Sequence, residues 1–273
     1  MKPEVSIIVS IYNKIDALKL VLKSLEFQSY MNFEVILSDD GSNQKSVSQI
    51  KKLIDSYPFK IKHVWHEDTG WNKNTILNKA IVASESNYIV FVDGDCLLHY
   101  KFIEEHFINK KPKTILAGRR VNLSKKVSLK LTTDLVAQGY LKRGIVRESI
   151  LDSIKSKAKD VEQGLYITSS FIAKFLNRKE KGILGSNFSV FKDELLEING
   201  FDERFKYPAA GEDSDIESRL RRNGLIVKTI RNQAIQFHLY HKELPREKER
   251  LVFFEENNTN SVTYTPYGII RDE

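Results

Sequence analysis

Within the first hundred residues, β-branched apolar runs alternate with stretches whose apolar side chains recur every three or four positions. Val5–Ile11 is apolar along almost its whole length, and Ile15, Leu18, Leu22 and Leu25 follow at helical spacing. A second run at 33–37 ends in Ser38-Asp39-Asp40-Gly41-Ser42, a turn signal. Val47, Ile50, Leu53 and Ile54 predict a second helix, and Ile61–Trp65 a third strand. Ile76, Leu77, Ala80 and Ile81 predict a third helix before the strand at 88–92. Strands this apolar need cover on both faces, and the intervening helices supply it. The expected fold is therefore α/β, a Rossmann-like, mostly parallel sheet between helices. Ligands of such sheets bind beyond the carboxyl ends of the strands. The polar clusters Tyr12-Asn13, Asp39-Asp40 and Asp93-Gly94-Asp95 stand at those ends.

From 119 to 181 the pattern turns helical and poor in strand signals, with 15 basic side chains against 6 acidic ones. The whole chain carries +7, so the remainder is slightly acidic. The expected plan is a nucleotide-binding half at 1–118 and a basic helical insertion at 119–182. A second half of the same domain follows at 183–241, then a closing segment at 242–273. A basic insertion suits a polyanion, an anionic membrane surface or a phosphate-bearing substrate, and equally a set of solvated helix faces. Leu129, Leu131, Leu135, Val136, Phe171, Ile172 and Phe175 are either core stripes or apolar contacts for a membrane. Nucleic acid is not an expected partner, because Tyr140, Tyr166, Phe171 and Phe175 form no reader motif. Beyond the insertion come a strand at 185–191, a turn at Asn199-Gly200-Phe201-Asp202, a helix at 212–223 stopped by Gly224, and short strands at 226–230 and 234–237. The single cysteine, Cys96, excludes an intrachain disulfide, and no apolar run reaches the ~20 residues of a membrane span. The start of the chain shows no charged head followed by an apolar core, and the expectation is a cytoplasmic protein, free or peripheral at the membrane's inner face.

Neither a GxGxxG nor a GxxxxGK[ST] loop is present, so a bound nucleotide would need another partner for its phosphates. Carboxylates holding a divalent cation do that work. Asp93-Gly94-Asp95, directly after an apolar strand, fits; so does an ordinary turn, since Asp and Gly dominate turns. Glu212-Asp213 has two readings as well. Ser214-x-x-Glu217 has the form of a capping box, and acidic residues suit a helix start. Alternatively, a carboxylate after the loop-like stretch at 208–211 takes a proton from an acceptor hydroxyl. His238 and His241, around Leu239-Tyr240, are candidate metal ligands. Trp65 and Trp71 are simplest as core or rim aromatics.

The order of these pieces is more specific than any one of them. Val5 to Asn13, Glu34 to Ser42, Tyr88 to Asp95, Gly185-Ser186-Asn187, Gly200-Phe201-Asp202-Glu203 and Gly211-Glu212-Asp213 together resemble the family 2 glycosyltransferases, which have the GT-A fold. Gly70-Trp71 and Leu77-Asn78 look closest to the branch with chondroitin-polymerase-like and galactosyltransferase-like C-terminal motifs. Leu77 stands where that branch usually has Arg, Ser10 where many members have Pro, and the late QxxRW motif is absent. The resemblance implies an inverting, metal-dependent transfer from a nucleoside diphosphate sugar, expected to be UDP-linked, to a glycan or lipid-linked acceptor. It implies Tyr12, Asn13 and Asp40 at the nucleoside, Asp93 at ribose or metal-bound water, and Asn78, Trp71 and Asn187 in the donor or acceptor pocket. Asp95, His238 and His241 would serve Mn²⁺ or Mg²⁺. Asp213, assisted by Glu212, would be the base. A closing segment with Lys242, Arg246, Lys248 and Arg250 would exclude water. The rival reading is a nucleotide-sugar-binding module without catalysis.

Overall fold

The computed structural model describes residues 2–154, 158–208, 211–242 and 262–270. Strand β1 (Val5–Ile11) pairs in parallel with β2 (Phe33–Asp39) on one side and β4 (Tyr88–Asp93) on the other, and β3 (Ile61–Trp65) extends the sheet beyond β2. Helices α1 (Ile15–Glu26), α2 (Gln44–Ile54) and α3 (Lys73–Ala83) make the crossovers. Alternation along β1 sends its apolar side chains to both faces of the sheet. Val5, Ile7, Val9 and Ile11 join the core under Leu18, Leu22 and Leu25 of α1, while Ile8 points the other way, toward Leu77, Ala80 and Ile81 of α3. Each such side chain, fully buried, stabilises the fold by roughly 1.5–3 kcal/mol relative to exposure.

The second half departs from an all-parallel sheet. β8 (Asn187–Phe191) runs antiparallel between β4 and β6 (Thr114–Ala117), and β9 (Ile226–Thr229) closes the order β3-β2-β1-β4-β8-β6-β9. A smaller sheet joins β5 (Cys96–Leu98), β10 (Ile235–His238) and β7 (Arg119–Asn122). Two registers position the site. Val92 opposite Asn187 brings the chain entering β8 beside Asp93, and Cys96 opposite His238 brings the end of β10 beside Asp95. Helices α4 (Phe102–Asn109), α9 (Lys192–Glu197) and α10 (Glu212–Arg222) pack around the large sheet.

The basic region opens with a strand, not a helix: Arg119–Asn122 is β7, hydrogen-bonded to β10. Its short apolar content, one Val among polar neighbours, carries no strand signal; pairing with a distant strand decides it. Helices follow in α5 (Lys125–Lys130), α6 (Thr133–Ala137), α7 (Gly144–Ser153) and α8 (Ser170–Leu176). Leu131 and Val136 are core residues, packed with Val127, Leu141, Ile145, Val121 and Phe237, and Leu135 is partly buried against them. Leu129, Phe171, Ile172 and Phe175 are exposed.

Of the expected closing segment, 243–261 lies outside the described residues, and with it Arg246, Lys248 and Arg250. The stretch 262–270 docks on the turn at Asn199. The Asn199 side chain donates to the carbonyls of Thr265 and Ile270 and accepts from the Ile270 N–H, each at 2.7 Å. Among the described residues no helix is long and apolar enough to cross a membrane.

Candidate active site

Three side chains from two elements converge beyond the small sheet. Asp95 follows β4, and His238 and His241 lie at and after the end of β10. The Nε2 atoms of the two histidines are 3.1 Å apart, and each is 3.6 Å from an Asp95 carboxylate oxygen. Their other ring nitrogens are engaged. His241 Nδ1 faces the Lys242 carbonyl at 3.1 Å, and His238 Nδ1 faces Asn122 Oδ1 at 3.3 Å. The Asn122 amide nitrogen donates to Asp160 at 2.8 Å, which fixes its oxygen toward His238. With both Nδ1 protons so placed, two Nε2 lone pairs and a carboxylate point at one spot. That donor set fits a divalent cation and is repulsive without one. Burial, and then the Arg120 charge, lower His238 to about 4, so its imidazole is neutral at pH 7. Burial works to raise the Asp95 carboxyl, but the two imidazoles and the Lys14 ammonium, 2.9 Å from Oδ2, hold it below the usual range.

The Gly94 between the two aspartates serves the fold. A Cβ there would lie 2.7 Å from Ile11 Cγ2 and 2.8 Å from the Ser10 carbonyl, and the Gly94 N–H donates to that carbonyl at 2.8 Å. The glycine lets the loop press against β1.

Glu212 and Asp213 open α10. The capping box does not form: Gly211 is the cap residue, at φ 95°, and no side chain caps the helix. Glu217 instead accepts from the Ile183 N–H at 2.7 Å and pairs with Arg221. Asp213 reaches across to the segment entering β8, where its Oδ2 accepts the Gly185 N–H at 2.8 Å. A Cβ on Gly185 would stand 2.1 Å from Asp213 Oδ1, so only glycine admits this contact. Burial raises the proton affinity of both carboxyls. The Asp213 charge adds to the effect on Glu212, and Asp93 adds to it on Asp213; Lys73 opposes it at both. Lys73, the first residue of α3, sits 3.2 Å from Asp93 Oδ1. Burial works against its charge, yet Asp93, Asp213 and Glu212 outweigh this and keep it firmly protonated. One ammonium thus joins the aspartate beside the cation trio to the carboxylate pair.

On the opposite side lie the residues expected at a nucleoside. Tyr12 is half-exposed and donates to Asp68 at 2.9 Å. Asp40 meets His66 Nε2 at 2.9 Å and accepts the Asn72 N–H at the start of α3; burial leads its rise above the ordinary range. Asn13 is a loop pin, at φ 56°, accepting from Asn43 N–H and Ser46 Oγ. Trp71 is half-buried, and its Nε1 finds no partner among the described residues. Two expected pocket residues have other employment. Asn78 clamps the 201–203 loop, donating to Phe201 O and Glu203 and accepting from Phe201 N–H. Asn187, fully buried, binds His106 and the carbonyls of Arg119 and Ala234.

Four further residues belong to this constellation and were missed: Lys14, Lys73, Arg120 and Asn122. Lys73 left a faint signal, since a lysine in the first turn opposes the helix dipole and calls for an acidic neighbour. Arg120 and Asn122 left none, being read as part of a helical insertion. On β7 they share one face, opposite Gln236 and His238 on β10. Arg120 Nη1 lies 3.3 Å from Ser186 Oγ, next to the glycine that holds Asp213, and among the described residues Arg120 has no acidic partner within ion-pair distance.

Residues 6–160 match the sequence profile described as glycosyl transferase family 2, more than half of the chain, and residues 169–242 match one described as the N-terminal domain of galactosyltransferase. The chain belongs to glycosyl transferase family 2. Among curated members, the GalNAc(5)-diNAcBac-PP-undecaprenol beta-1,3-glucosyltransferase of Campylobacter jejuni is 26% identical over 208 residues, 74% of this chain and 56% of that protein. Glycosyltransferase GlyA of Streptococcus pneumoniae is 30% identical over 103 residues, 37% of this chain and 14% of that protein. The chain therefore spans little more than half, or much less, of these family 2 relatives. Solved structures share the GT-A architecture. The mannosyltransferase PcManGT of Pyrobaculum calidifontis, in complex with GDP-Man and Mn²⁺, superposes with a TM-score of 0.57 at 16% identity, covering 89% of this chain and 59% of that one. Staphylococcus aureus TarS 1–349 with UDP gives 0.57 at 16% identity, covering 94% and 65%.

Proposed function

We propose that this family 2 member is an inverting, cation-assisted glycosyltransferase, moving a sugar from a UDP-linked donor to a hydroxyl of a glycan or lipid-linked acceptor. The observation that carries the reading is the Lys73 bridge. It ties a buried and a half-buried carboxylate, Glu212 and Asp213, both with raised proton affinity, to the aspartate two residues from Asp95. The UDP complex of the TarS neighbour supports the donor class, the Mn²⁺ complex of the mannosyltransferase supports the cation, and the undecaprenol-linked name of the Campylobacter relative supports the acceptor class.

Asp95, His238 and His241 would hold the cation, which, when bound, supplies positive charge against the charge growing on the leaving diphosphate. Asp213, fixed by the Gly185 N–H, takes the proton of the acceptor hydroxyl. The freed oxygen electron pair forms the new bond to the anomeric carbon as the bond from that carbon to the diphosphate oxygen breaks, its electrons leaving with the nucleotide. One displacement inverts the centre, and no enzyme nucleophile is needed. Burial and the Asp93 charge raise the proton affinity of Asp213 and Lys73 opposes them, which sets how readily it accepts that proton. Arg120, beside Ser186 and with no acidic ion-pair partner among the described residues, is placed to take a phosphate oxygen as a bidentate partner.

The test is a panel of sugar nucleotides incubated with metal-stripped protein, with and without Mn²⁺ or Mg²⁺, reading nucleoside diphosphate release and the anomeric configuration of the product by NMR. Mn²⁺-dependent release with inversion supports the proposal. Undiminished release in excess chelator removes the cation from it. Nucleotide binding without turnover of any donor favours the module that binds but does not catalyse.

A further inference from the structure

Two short helices of the basic region present a face that neither the core nor the active site uses. α5 buries Val127 and turns Lys125, Lys126, Leu129 and Lys130 outward; α7 buries Ile145, Val146, Ser149 and Asp152 and turns Arg147, Ile150 and Leu151 outward, with Ile154 just beyond it. The helices pack together around a groove lined by Lys126, Gly144, Arg147, Glu148, Leu151 and Asp152. Four aliphatic side chains protrude on this pair, with exposures of 76% for Leu129, 42% for Ile150, 59% for Leu151 and 77% for Ile154. Single exposed leucines are unremarkable, but four on one helix pair are a patch. Cations surround them. Lys125, Lys126, Arg143 and Arg147 have no acidic partner within ion-pair distance among the described residues, and the acidic Glu148 is paired with Lys130.

We infer that the α5–α7 face is a docking surface for an anionic lipid membrane, with Leu129, Leu151 and Ile154 entering the headgroup boundary and the surrounding lysines and arginines meeting lipid phosphates. Charge complementarity selects this occupant. Anionic headgroups over an acyl layer match cations ringing aliphatic tips, and each half of that match is lost on the alternatives. Nucleic acid would take the cations but has no use for protruding Leu and Ile, and neither α5 nor α7 carries an aromatic for base stacking. A second copy of the chain, meeting this face with its own, would set cations against cations. The inference is independent of the catalytic reading and goes beyond it, because the face contains none of the active-site residues.

The experiment is vesicle flotation of the full chain, using phosphatidylcholine alone or mixed with phosphatidylglycerol, over a salt series. Variants are Lys126→Glu with Arg147→Glu, and Leu151→Ser with Ile154→Ser, all at exposed positions. Thermal melting and nucleotide binding serve as checks that each remains folded. Binding to anionic vesicles at least about tenfold above neutral ones at low salt is expected. The charge-reversed variant should lose it at every salt concentration. The serine variant should bind at low salt but release at lower salt than the wild type. Equal binding to both vesicle types, or a charge-reversed variant that floats like the wild type, overturns the inference. A concentration-dependent dimer that the serine variant abolishes, without vesicle binding, assigns the face to a second copy and overturns it as well.

Discussion

Replacing Lys73 by Met tests the electrostatic link at the centre of the site. Its ammonium contacts Asp93 at 3.2 Å and acts on Asp213 and Glu212 as well. Two unit charges ~6 Å apart, at an effective dielectric of ~20, interact by about 3 kcal/mol, equivalent to about two pH units. Solvent at the mouth of the site reduces this, so Lys73→Met should move the acid limb of the pH–rate profile upward by ~1–2 pH units. Lys73→Arg, which keeps the charge, should leave the limb near its original position. Stability gives a second readout with a definite sign. A lysine whose proton affinity is raised by folding contributes its full stabilisation below the unfolded-chain value near ~10.4 and loses it only as pH rises through the folded value. Between pH 5 and 8 that contribution is therefore constant in the wild type. In the Met variant three carboxylates lose their common cation, at a cost of up to roughly 3 kcal/mol at neutral pH. The deficit should shrink on acidification, because Glu212 and Asp213, raised by burial, take up protons first. The assay is nucleoside diphosphate release from pH 5 to 9, with thermal melting at the same pH values. A uniform fall in rate with an unmoved acid limb would refute the electrostatic link and leave Lys73 a structural residue.

Asp213→Asn should lower transfer by ~10²-fold or more while leaving melting at pH 7 unchanged or raised, since a buried charge is removed and the Gly185 N–H still has an acceptor; a drop in melting with turnover retained would make it a structural acid. Asn122→Ala frees the His238 tautomer and should weaken Mn²⁺ binding ~10–100-fold, measured by calorimetry or EPR on the free cation; unchanged affinity would exclude an orienting role. Arg120→Gln should weaken binding of UDP by ~10-fold or more but leave uridine binding intact, and equal losses for both would place Arg120 away from the phosphates.

Local pattern was enough for the first half of the fold. A strand covered on both faces must be largely apolar and a crossover helix must be apolar on one side, so β1, β4 and the helices between them are written in the order of residues. The candidate carboxylates and histidines were legible for a related reason, since Asp, Glu and His after strand ends or at helix starts are few enough to single out by type. What local pattern does not contain is who meets whom across the chain. Arg119–Asn122 becomes a strand because β10, more than a hundred residues later, pairs with it. That pairing brings Arg120 and Asn122 to His238, and the reversed β8 brings Gly185 to Asp213. Asn78 and Asn187 are the converse case: an amide suits a sugar hydroxyl and a backbone loop equally well, so residue type cannot say which it binds. The loop at 201–203 and the carbonyls of Arg119 and Ala234 claim those two amides only once the chain is folded. Motif chemistry is carried by residue identity and neighbours in sequence, whereas charge networks and hydrogen-bond clamps depend on distances between residues far apart in the chain, and those exist only in the tertiary structure.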